Sequence, residues 1–121
     1  MTWLLVALAG GFGAVTRFLV DRQLAARLRV GIPLGTLAIN VTGSFGLALV
    51  TGWWMFHGGD PTLRAAIGTG FLGGYTTFST ASVEGARLVL DGRGWATIFH
   101  AGGMVLAGVV AAFLGLWLAS V

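Results

Sequence analysis

The chain has 121 residues, of which 56% are hydrophobic and only 9% charged. Soluble domains carry about 25% charged residues, so this composition, with a mean hydropathy of +0.90, excludes an ordinary soluble fold. The basic side chains are seven arginines, for a net charge of +3, which suits positive loops beside a membrane rather than a nucleic-acid surface. The chain has no cysteine, which excludes disulfides and thiolate metal sites.

A helix that crosses a membrane needs about 20 mostly apolar residues. Four segments qualify: Thr2–Val20, Val30–Phe56, Leu63–Leu90 and Gly94–Val121. They predict an all-α membrane protein with four transmembrane helices in a single domain over residues 1–121, leaving no room for a soluble domain. The first span has no basic N-terminal region, and Arg17 and Asp21 stand where a small-residue cleavage site would be. It is therefore expected to be a mature helix and not a signal peptide. Ala7 with Gly11, and Gly10 with Ala14, have the small-xxx-small spacing that lets helices approach closely. Arg17 lies one turn before the end of this span, and two readings stand: an interfacial anchor, or a lure for anions at a pore mouth.

Asp21-Arg-Gln-Leu-Ala-Ala-Arg-Leu-Arg29 is expected to be a short amphipathic connector, closed by Gly31-Ile-Pro33. In the second span Thr36, Asn40, Gly43 and Ser44 fall on one helical face, which Thr51 extends. Asn40 offers two N–H donors. They serve either an interhelical hydrogen bond or a pore lining. His57-Gly-Gly-Asp-Pro61 is a tight turn, with Thr62 as the expected N-cap of the third helix.

The third span holds the most informative stretch. Residues Gly68 to Glu84 include four glycines, four threonines and two serines. Hydrocarbon does not satisfy freed backbone groups, so a weakened helix there must be buried in protein or line a watery cavity. Gly73, Gly74, Thr76 and Thr77 fall near the midpoint of Leu63–Leu90 and predict a third helix broken in mid-membrane, where freed carbonyls can hold a small cation. Phe78 follows, either packed or with its electropositive ring edge toward an anion. Thr77, Thr80 and Glu84 share a face and form a polar track. An ionisable group inside a span points to function, and the alternative for Glu84 is a snorkelling side chain or a salt bridge with Arg87 or Arg17.

Asp91-Gly-Arg-Gly94 is a further turn, and the fourth span has Ala107, Ala111 and Gly115 at small-xxx-small spacing. Short connectors make neighbouring helices antiparallel. Arg22, Arg27, Arg29, Arg87 and Arg93 fall on one side and Arg64 on the other, which directs both termini outward. Four thin helices have little interior, so an ionic pathway requires an interface with a second copy. No nucleophile–base pair, phosphate loop or paired carboxylates stand out, and nothing supports an enzyme.

Three stretches together resemble the fluoride channel family (Fluc, also called CrcB). They are Gly10-Gly-Phe-Gly-Ala-Val-Thr-Arg17-Phe18, Gly35-Thr-Leu-Ala-Ile-Asn40-Val-Thr-Gly-Ser-Phe45, and Gly70-Phe-Leu-Gly-Gly-Tyr-Thr-Thr-Phe-Ser-Thr80 with Glu84. The resemblance covers the first three spans in order; the fourth matches only as a hydrophobic helix. It implies passive export of fluoride across the cytoplasmic (inner) membrane by an antiparallel, dual-topology homodimer with two pores. It also implies a structural Na⁺ at the dimer centre, held by the backbone carbonyls of Gly73 and Thr76. The implied pore residues are Asn40, Ser44, Thr77, Phe78, Thr80 and Glu84, with Arg17 attracting anions at the mouth. Ala81 departs from the family, which has a second phenylalanine there; one wall is absent, or Tyr75 or a partner ring fills it. The fourth span lacks the serines expected toward the pore. Two other readings follow: one half of a heterodimeric fluoride channel, or a proton-coupled small multidrug exporter using Glu84.

Overall fold

The computed structural model describes residues 1–28 and 31–121. Arg29 of the expected connector, and the expected start of the second span at Val30, lie outside the described residues. Among the described residues the regular structure is entirely helical. Helix α1 is Thr2–Arg27 and α2 is Leu34–His57. Helix α3, residues 61–75, passes from an α-helical turn Pro61–Arg64 through a π-helical stretch Ala65–Leu72 to a last turn Gly73–Tyr75. Helix α4 is Phe78–Leu90 and α5 is Gly94–Ala119.

Three boundaries differ from expectation. Helix α1 runs on past Val20 to Arg27, so most of the expected connector is helical. Asp21-Arg-Gln-Leu-Ala-Ala-Arg27 has no glycine or proline and consists mainly of good helix formers. Beyond the undescribed residues, Gly31 has a positive φ of 68°, open to glycine, and its carbonyl accepts from the Arg93 guanidinium. The N-cap of α3 is Asp60, not Thr62: its carboxylate accepts from the backbone N–H of Thr62 at 2.6 Å and of Leu63 at 3.1 Å. Pro61 takes the first helical position, where its missing N–H costs nothing, and the cap lies two residues before the expected one. Finally, α1, α2 and α5 are each long and apolar enough to cross a membrane, whereas residues 61–90 are divided between α3 and α4.

The most extensive contacts are between α2 and α5 and between α1 and α3. Small residues set both. On α5, a Cβ at Gly115 would press on the Phe45 carbonyl and the Leu49 nitrogen of α2. Between α1 and α3, a Cβ at Gly13 would overlap the Phe71 carbonyl, and one at Gly74 the Gly10 carbonyl. The expected close-packing residues Gly10 and Gly115 thus stand at contacts, while Gly11 faces open space. The buried apolar core is small, including Ile39, Leu72 and Leu88, and large side chains such as Trp3, Phe12, Phe18 and Phe113 point outward. That inversion suits a chain whose surroundings are hydrocarbon.

Candidate functional site

Helicity stops after Tyr75. Thr76 has ψ 159°, Thr77 has φ −149° and ψ 122°, and α4 begins at Phe78. Two devices stabilise these extended residues. Thr77 is the N-cap of α4, its Oγ1 accepting from the Thr80 N–H at 3.2 Å. Across the helix pair, the Thr77 N–H donates to Asn40 Oδ1 at 2.8 Å, and Asn40 Nδ2 donates to the Thr77 carbonyl at 2.8 Å. The Asn40 amide therefore stands in for a strand neighbour and satisfies both backbone groups of a buried residue. Gly43 provides the space, because a Cβ there would overlap the Thr76 methyl.

These bonds leave two carbonyls without their helical donors. In an uninterrupted helix Gly73 would receive the N–H of Thr77, and Thr76 that of Thr80; both N–H groups go elsewhere. They are the two residues that the resemblance singled out, and the interruption itself lies at Thr76–Thr77, within the stretch where the break was expected. Gly73 remains helical, with φ −63° and ψ −39°, and Gly74 serves the α1 contact. Two oxygens of this hard type fit an alkali cation in donor chemistry, and Gly73 is exposed on the protomer.

An open groove of about 720 Å³ lies beside the interruption, lined among others by Asn40, Ser44, Thr77, Phe78, Ala81 and His100. Phe78 is 88% exposed, so within the protomer its ring is not a packing residue. The second Asn40 N–H faces only the Met104 thioether, at 3.3 Å. Thr80 and Glu84 are not among the groove-lining residues. Thr80 connects to the groove through the Thr77 hydroxyl at 3.0 Å. Glu84 Oε1 accepts from the buried Thr36 hydroxyl at 2.9 Å, and Oε2 lies 3.8 Å from His100 Nε2. Neither Arg87 nor Arg17, the expected alternatives, forms that ion pair, and the buried Arg17 Nε has no hydrogen-bond partner. Tyr75 does not fill the space left by Ala81: its hydroxyl is 3.0 Å from Thr42 Oγ1 and its ring stacks on Phe71. The imidazole of His100 approaches instead, with Nε2 at 3.2 Å from the Ala81 carbonyl. Thr51 lies in a separate polar groove of about 350 Å³ with Arg64 and Thr69.

Sequence reasoning missed the pairing of Asn40 with the Thr77 backbone, and it missed Met104 and His100 as neighbours of the site. The one signal for His100 was a titratable side chain inside an otherwise apolar span.

The family described as "CrcB-like protein, Camphor Resistance (CrcB)" matches residues 4–116. The chain is 54% identical over 115 residues to the fluoride-specific ion channel FluC 1 of Leifsonia xyli subsp. xyli, covering 95% of this chain and 84% of that protein. It is 52% identical over 121 residues to FluC 2 of Cutibacterium acnes, covering 99% and 98%. With FluC 2 of Mycobacterium tuberculosis the identity is 43% over 119 residues, covering 98% and 91%. These relatives carry the name of an ion channel and not of an enzyme. With three helices able to cross a membrane and this likeness over nearly its whole length, the chain is a multi-pass membrane protein that belongs to the CrcB-like family.

Proposed function

We propose that this chain is a subunit of a fluoride-selective channel, through which fluoride leaves the cell passively across the cytoplasmic membrane. The observation that carries this reading is the groove in which Asn40, Ser44 and Thr77 stand beside the exposed ring of Phe78. Fluoride is small and strongly hydrated, so its shell must be replaced during passage. The Asn40 N–H held only by the weak Met104 thioether acceptor, a serine hydroxyl and an aromatic edge are donors that do this without a fixed positive charge. Conduction requires binding weak enough for release. The printed names of the relatives support the choice of ion.

The groove is open on the flank of one protomer. Polar groups at membrane depth face a bundle interior or a cavity and not lipid, so a second copy is the cover we propose, in an antiparallel, dual-topology homodimer. In that arrangement the exposed Gly73 would meet its counterpart. Gly73 and Thr76 of both subunits would then supply oxygen ligands to a structural Na⁺ that is not itself transported. The ion would raise the positive potential near the path. Arg17 would attract anions toward the mouth, with Thr80 and Glu84 supporting the wall from behind.

Purified protein, expressed alone and placed in liposomes with Na⁺, should release fluoride rapidly and retain chloride. No fluoride flux from well-folded dimers would overturn the reading, and flux restored only by a second, different subunit would make it half of a heterodimer. The exporter reading has no observation in its favour, since Glu84 is engaged by Thr36 and lies off the groove.

A further inference from the structure

His100 is 2% exposed, and its Nδ1 is buried without a partner. A carbonyl only accepts, so the contact of Nε2 with the Ala81 carbonyl at 3.2 Å requires the proton on Nε2. The same nitrogen lies 3.8 Å from Glu84 Oε2, which makes no hydrogen bond. Nδ1 is then the ring position that gains or loses a proton. The imidazole also lines the groove with Asn40, Thr77 and Phe78. Resting on the channel reading above, we propose that His100 is a positioning residue of the anion path, acting through Glu84: its proton cancels the Glu84 charge behind the groove wall, so that fluoride passes faster when His100 is protonated.

The balance of charge is simple. Imidazolium with carboxylate sums to zero, whereas neutral imidazole with carboxylate leaves one negative charge. An anion in the groove is repelled in the second state. Few other charges compete. His100 is the one titratable group of α5, and the α2 face against it supplies the Thr36 hydroxyl. Helix α4 contributes Arg87, and α1 contributes Asp21, with Arg17 a turn earlier. Those arginines stay charged throughout the pH range of the test.

The test compares fluoride efflux from liposomes at pH 6 and pH 8, after subtraction of protein-free liposomes, for the native chain, His100→Gln and Glu84→Gln. Glutamine at position 100 retains an N–H for the Ala81 carbonyl. One unit charge near the path is expected to make the native chain roughly tenfold faster at pH 6 than at pH 8. His100→Gln should be slow at both values, and Glu84→Gln, which carries no negative charge there, should be at least as fast at pH 8 as the native chain is at pH 6. A common pH profile for all three proteins overturns the proposal. A native chain that passes fluoride without pH dependence overturns it too, while leaving the channel reading intact. Should no protein pass fluoride, the channel reading has failed, and the pair is judged by nitrogen-15 resonances of the His100 ring in detergent-solubilised protein. The ring must follow a different titration curve in Glu84→Gln, and identical curves refute the coupling.

Discussion

Asn40 and Thr77 hold each other by two hydrogen bonds of 2.8 Å, one to each backbone group of Thr77. The side chain of one helix thus replaces the missing ladder of another. Asn40→Ala removes both bonds and leaves a buried N–H and C=O unpaired, at about 1–3 kcal/mol for each unsatisfied group, moderated because membrane-embedded groups find other partners. Reduced thermal stability in detergent, together with loss of fluoride flux, is the expected result. Asn40→Asp keeps the acceptor for the Thr77 N–H but sets a carboxylate against the Thr77 carbonyl, and flux should be lost there as well. An alanine variant as stable as the native protein would show that the pair does not hold the interruption.

Phe78 separates function from folding. Its ring is 88% exposed in the protomer, so Phe78→Ala should change protomer stability by no more than about 0.5 kcal/mol, as for other surface positions. Fluoride flux in liposomes should nonetheless fall sharply if the ring lines the path. Flux equal to that of the native chain would remove Phe78 from the site.

Glycine positions give a matched pair. Gly74→Ala forces a methyl group into the Gly10 carbonyl of α1, an overpacking that costs about 1–3 kcal/mol or more. Gly11→Ala, one residue along α1 from that contact, meets nothing within 4 Å. The yield of folded protein by size-exclusion chromatography should drop for Gly74→Ala and stay level for Gly11→Ala.

The cap of α3 supplies a test of local structure. Asp60→Ala should cost about 1 kcal/mol, because the backbone N–H groups of Thr62 and Leu63 lose their acceptor. Thr62→Ala should cost less, since its hydroxyl caps nothing. Equal losses of thermal stability would contradict the assignment.

Cation removal tests the proposed dimer centre. Exchange of Na⁺ for a bulky organic cation on both sides of the liposome membrane should abolish fluoride flux, and restored Na⁺ should recover it. Unchanged flux would reject coordination by Gly73 and Thr76.

The amino-acid sequence by itself determined the class of this protein and the neighbourhood of its site. Long apolar runs and 9% charge require helices in a membrane, because a helix alone satisfies its backbone within one segment. The density of glycine, threonine and serine between Gly68 and Glu84 marked the weak point of the third span for the same reason. The tertiary structure decided where that weakness is used. The expected break spanned Gly73, Gly74, Thr76 and Thr77, and its glycine half stays helical where α1 packs against Gly74. The chain leaves the helix at Thr76 and Thr77 because Asn40, 37 residues away in sequence, offers both a donor and an acceptor there. The partner of Glu84 was equally hidden: Arg87 and Arg17 were the nearer candidates by charge, yet Thr36 and His100 reach it from α2 and α5. Periodicity places residues on the faces of one helix. Only the packing of several helices determines which faces meet.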